Sequence, residues 1–138
     1  LIANNIAKIV GIQLNPMKST IDKHPKYCIY KLDEDKLLST NAPKLKSEFV
    51  LLNAEGFRNI VFDLSDVEYV DSSGLSAILI GNRLSKEGNG TFVITGLNEQ
   101  VAKLIKISQL DTILNIIPTV EESVDYVLLE ELERDLRG

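Results

Sequence analysis

The chain has little cysteine and little histidine: Cys28 and His24 stand alone among 138 residues. One cysteine makes no internal disulfide, so a reducing compartment is expected. Its setting, Tyr27-Cys28-Ile29-Tyr30, is that of a small side chain buried in a strand. Long apolar runs are missing too, none approaching the roughly 20 residues that a membrane span requires. The chain opens without a charged leader followed by a small-residue cleavage site, so a secretory signal is not expected and the cytoplasm is the expected location. No basic stripe or arginine–aromatic cluster occurs, so a nucleic-acid partner is not expected.

What charge there is lies at one end. Residues 121–138 carry seven acids and two bases, the whole net charge of −5, while the rest of the chain is neutral. This reads as the solvated face of a helix. The only methionine is Met17, directly after Pro16. Residues 1–16 are therefore expected to be a leader ahead of a native start at Met17, or alternatively a short amphipathic arm with Ile2, Ile6, Ile9 and Val10 at helical spacing. Either way the domain is placed at residues 17–138.

Strand and helix signals then alternate. KYCIYKL (26–32) reads as a strand, Asp33-Glu34-Asp35 as a turn, and Lys36 to Ser39 as a short strand. Asn41 is expected to cap a helix whose early Pro43 needs no donor, with Leu45, Phe49 and Leu52 inward and an end at Gly56. NIVFDL (59–64) is a buried strand that Tyr69-Val70 is expected to continue. A helix apolar on two faces follows and closes at Gly88 and Gly90, then the strand TFVIT (91–95). Asn98 should cap a helix with Val101, Leu104 and Ile105 inward, and TILNII (112–117) should be the last strand. Thr119 and Glu122 make a capping box for a helix over 119–138, with Val124, Val127, Leu128, Leu132 and Leu136 as its apolar stripe. This is one α/β domain with a mixed or mostly parallel sheet.

Two serines stand where a strand ends and a helix begins, in YVDSSGLSAIL (69–79). A helix cap would explain one hydroxyl, at about 1 kcal/mol. It explains neither the pair, nor Asp71, nor Gly74, a glycine that suits a close approach to the backbone. A serine nucleophile fails on pattern: G-x-S-x-G around Ser73 would need glycine where Asp71 stands, and His24 is far upstream in a polar context. Asp63, Asp66, Glu68 and Asp71 could form a hard-cation site, but carboxylates near turns are common for local reasons, and no histidine or cysteine accompanies them. Phosphorylation fits better. A phosphate at a helix start meets free N–H groups and the positive dipole end, and adds roughly −1.5 to −2 charge beside Asp71, enough to repel a partner without unfolding the domain.

The stretch VFDLSDVEYVDSSGLSAIL (61–79) closely resembles the signature of STAS-domain anti-sigma factor antagonists, with D-S-S-G-L at Asp71 to Leu75 as its specific part. The resemblance runs from about Thr20 to Thr119 and includes Ala42-Pro43 at the first helix. It implies a single STAS-like domain: a four- to five-stranded mixed sheet with about four helices, packed on one side. It also implies a binding module without catalysis or cofactor. Its partner would be an anti-sigma factor that is itself an ATP-dependent serine kinase, opposed by a metal-dependent phosphatase, and sigma-factor-dependent transcription would be the output. By motif position Ser72 is the phosphate acceptor, Ser73 its neighbour at the helix start, and Asp71 positions the loop or the partner. Gly74, Leu75, Asn82 and Arg83 complete the expected contact surface. Asp35-Lys36-Leu37-Leu38 stands where the family has Gly-Glu-x-Asp, and Gln109 where it has the glycine of a turn. The alternative is a STAS-type scaffold or sensor with no sigma-factor link, in which the serine only caps the helix.

Overall fold

The computed structural model describes residues 17–138; the leader and arm readings of residues 1–16 lie outside the described residues. Five strands form the main sheet in the order β1 (Ser19–Lys23), β2 (Cys28–Leu32), β4 (Ile60–Asp63), β6 (Phe92–Thr95), β7 (Asn115–Ile117). β1 runs antiparallel to β2, and all other pairs are parallel. β3 (Lys36–Leu37) and β5 (Tyr69–Val70) pair in a separate two-stranded parallel sheet. The helices are α1 (Ala42–Ala54), α2 (Ser72–Glu87), α3 (Glu99–Ile107) and α4 (Val120–Arg137), with a short 3₁₀ turn at Leu110–Thr112.

Every residue of β4 (IVFD) and β6 (FVIT) is buried, as expected for inner strands of a parallel sheet covered on both faces. Alternation sorts their side chains. Cys28, Tyr30, Ile60, Phe62, Phe92 and Ile94 point into the larger core shared with α1, α2 and α3. Val61 and Val93 point the other way, onto Val127 of α4. Helices therefore cover both faces, not one, because α4 crosses behind β4, β6 and β7. The larger core centres on Tyr30, Phe49, Phe62 and Phe92. Phe49 meets both other phenylalanines edge-on, with ring centroids 5.2 and 5.6 Å apart, an arrangement worth about 0.5–1.5 kcal/mol per pair beyond burial.

One strand went unread and three sequence expectations change. β1 carried no clear signal because STIDK is polar, and as an edge strand it exposes four of its five residues. Tyr69-Val70 does not extend β4; it leaves the main sheet to pair with β3. Residues 110–112 form a 3₁₀ turn, so the last strand spans three residues. Asn41 occupies the cap position of α1, but its side chain turns back to accept from Leu38 N at 2.7 Å and donate to Lys36 O at 2.8 Å. The caps at Asn98 (from Val101 N, 2.8 Å) and Thr119 (from Glu122 N, 3.1 Å) form as read.

Gln109 adopts φ +61°, the left-handed conformation in which a Cβ is penalised. Gln109→Gly is expected to raise stability by about 0.5–1 kcal/mol, read as a higher urea midpoint at unchanged slope. A lower midpoint would show that the Gln109 side chain makes a compensating contact.

Candidate functional site

β4 and β6 are parallel, so the chain leaves both at the same end, and α2 and α3 both start there. Asn98 Nδ2, at the head of α3, donates to Glu68 O at 3.2 Å in the β4–β5 connection and ties the two starts together.

The start of α2 is organised by Asp71. Its Oδ1 accepts from Gly74 N at 2.9 Å and its Oδ2 from Ser39 N at 3.0 Å. Its own N–H donates to Leu37 O at 3.1 Å, and its carbonyl accepts from Leu75 N at 3.0 Å. Asp71 is thus the N-cap, and the alternative in which a serine only caps the helix does not hold. Ser72 becomes the first helical residue, exposed, while Ser73 is half-buried. With the Gly74 and Leu75 donors taken, the Ser72 and Ser73 N–H groups make no hydrogen bond among the described residues. The hydroxyl of Ser72 therefore stands outside the capping network, beside two free backbone donors.

Gly74 is buried for a reason the sequence does not reveal. A Cβ there would lie 2.5 Å from Leu37 O and 2.7 Å from Val70 Cγ1. The group that approaches its backbone is β3, not an external partner. Asp35-Lys36-Leu37-Leu38 is accordingly structural here: Leu37 is fully buried, and Asp35 O accepts from Glu68 N at 2.7 Å.

With 3.6 residues per turn, Ser72 shares a stripe of α2 with Ser76, Leu79 and Arg83; Ser76 and Leu79 are half-buried and Arg83 exposed. Leu75 is half-buried against the core. Asn82 is turned inward, 4% exposed, and offers no surface to a partner. Ser76, Leu79 and Tyr69, which the sequence did not single out as site residues, lie beside Ser72 on the partly exposed surface. Tyr69 is 55% exposed immediately before the cap, and it borders an apolar groove of about 350 Å³ with Val70, Leu104 and Ile107. An aromatic at an exposed position of a two-residue strand was the available signal.

The other candidates disperse. His24 hydrogen-bonds Asp22 at 2.9 Å and stacks on Tyr27, with centroids 4.5 Å apart. Asp63 Oδ1 closes a turn by accepting from Ser65 N at 2.9 Å, and Asp66 pairs with Lys31 at 3.5 Å. Among the described residues no three His, Cys, Asp or Glu side chains converge as a metal site would require. Cys28 is fully buried, and desolvation pushes its thiol up to about 12, so it is not a nucleophile near neutral pH. No described helix is long and apolar enough to cross a membrane.

Known proteins resemble this chain in sequence and in fold. A Thermotoga neapolitana protein, named as a candidate anti-sigma factor antagonist, is 33% identical over 73 residues, 53% of this chain and 65% of its own length. BtrV of Bordetella bronchiseptica, named likewise, is 30% identical over 92 residues, 67% of this chain and 78% of its own. The crystal structure of a Thermotoga maritima protein so named superposes with a TM-score of 0.71 at 27% identity, covering 79% of this chain and 93% of the other. The STAS domain family model matches residues 18–123, all of the main sheet and the start of α4. The chain belongs to the STAS domain family.

Proposed function

We propose that this chain is a cytoplasmic protein-binding module of the anti-sigma factor antagonist type, without catalysis or cofactor of its own, whose binding is switched at Ser72. Unphosphorylated, it binds an anti-sigma factor that is also a serine kinase and so favours sigma-factor-dependent transcription. Phosphorylated, it dissociates until a phosphatase restores the hydroxyl. The observation that carries the reading is the division of labour at the start of α2. Asp71 supplies the cap, so the Ser72 hydroxyl is left exposed with no structural task.

The energetics suit a switch. A phosphate at the first helical position gains the dipole and the free donors, typically about 0.3–1 kcal/mol at an exposed site, so the domain tolerates it. Buried under a partner beside Asp71, the same double charge is unpaired and desolvated, at a cost of several kcal/mol. The contact surface comprises the Asp71 loop, Ser72, Ser73, the edge of Leu75, the stripe Ser76–Leu79–Arg83, and Tyr69. Names borne by the relatives support the antagonist class.

The test is the intact mass of the protein after incubation with ATP and an extract of its own host, beside a Ser72→Ala variant. One added phosphate on the natural chain and none on the variant is the expected result. Phosphate on both moves the acceptor elsewhere; phosphate on neither favours a constitutive scaffold.

A further inference from the structure

The face of α4 turned away from the sheet carries four leucines where a solvated helix would carry polar residues. Leu128, Leu129, Leu132 and Leu136 are 39%, 64%, 54% and 79% exposed. These include three of the five residues expected from their spacing to face the core. The face that does pack against the sheet is Ser123, Val127 and Glu131. At 3.6 residues per turn the four leucines fall within about 100° of one another, a continuous seam over a little more than two turns. Asp135 borders the seam on one side, Glu122 and Glu133 on the other, and Glu121 and Asp125 stand at its N-terminal end. Arg137 pairs with Glu133 at 3.4 Å on that flank, and the rim as a whole stays acidic. An apolar seam with a net acidic rim is the shape and charge that an amphipathic helix of opposite sign recognises.

We propose that the outer face of α4 is a second docking surface, on the opposite side of the sheet from α2, for an amphipathic helix of another protein with apolar residues at i, i+4, i+7 and lysine or arginine on its flanks. Charge selects this occupant over a second copy of the chain. Residues 121–138 carry −5, so pairing two α4 helices sets like rims against each other, which destabilises such a pair.

The probe is a labelled synthetic helix with leucines at i, i+4, i+7 and i+11 and lysines on both flanks, titrated against the full chain and followed by fluorescence anisotropy. It should bind, and added salt should weaken it. The double variant Leu129→Ser/Leu132→Ser, at positions more than half exposed, should fold with an unchanged circular dichroism spectrum and bind about tenfold or more weakly. The same peptide with glutamate flanks should bind at least about tenfold more weakly to the natural chain. Equal binding by both peptides, equal binding to both protein variants, or no binding at all would overturn the proposal. So would a reversible dimer in sedimentation that the double variant abolishes, since that assigns the seam to a second copy.

Discussion

Glu131→Ala is expected to lower unfolding stability by about 3–5 kcal/mol, the usual cost of removing one member of a buried ion cluster. The side chain is 7% exposed, clamped bidentately by Arg58 at 3.0 and 2.7 Å and reached by Arg134 at 3.2 Å. Asn59 donates to it at 2.8 Å and also to Lys26 O, while accepting from Thr91 N and Arg134. These bonds join α4 to the starts of β4 and β6, so the alanine variant takes the shared acceptor from Arg58, Arg134 and Asn59 at once. Burial alone would raise the carboxyl pKa. The hydrogen bonds from Arg58, Asn59 and Arg134, with the Arg58 charge, outweigh it and hold the group at about 2 against an ordinary 4.5. A depressed carboxylate stabilises fully above its unfolded pKa. That contribution, about 3 kcal/mol, is lost as pH falls from about 4.5 towards 2. Urea unfolding from pH 7 to 2.5 should therefore show an acid limb that Glu131→Gln flattens. An unchanged midpoint for the alanine variant at neutral pH would refute the structural role of the cluster.

Gly74→Ala is expected to cost about 2–3 kcal/mol, the upper part of the roughly 1–3 kcal/mol range for forced overpacking. The added methyl would sit 2.5 Å from a backbone carbonyl and 2.9 Å from Leu37 Cγ, so no side-chain rotation relieves it. α2 must lift from β3, and with it goes the geometry by which Asp71 holds Ser39 and Gly74 together. The variant should unfold earlier in urea, and the amide of Ser39 should lose hydrogen-exchange protection more than amides of β6 do. A variant of natural stability with Ser39 still protected would show that the close packing of α2 on β3 is dispensable. Glycine in D-S-S-G thus serves the fold, while Ser72, two residues before it, stands exposed outside the capping network.

Much of the site was legible because its signals are local. Asp71, the serines, Asn98 and Thr119 sit where strands give way to helices, and short side chains at such junctions have few other uses. The stripe Leu45, Phe49, Leu52 of α1 is wholly buried, as its spacing required. Misreadings arose where a neighbour distant in sequence decides the outcome. Asn82 stands in a helix apolar on two sides, and its polarity suggested a rim contact; packing turned it inward. The acids of α4 read as solvent-facing, yet Glu131 is among the most buried charges, because Arg58 lies 73 residues away and nothing in the local spacing announces it.

By itself the sequence determined the alternation of strands and helices from β2 onward, the α/β class, the larger core and the Asp71–Ser72 motif, since periodicity and capping chemistry are written over a few adjacent residues. Only the tertiary structure decided which group caps α2, why Gly74 must lack a side chain, and which face of α4 meets the sheet. For that helix the sheet meets Ser123, Val127 and Glu131, with Val127 against Val61 and Val93 and Glu131 against Arg58 and Asn59. Those partners lie roughly 35 to 75 residues away in sequence, so the local spacing of apolar residues could not choose between the two faces.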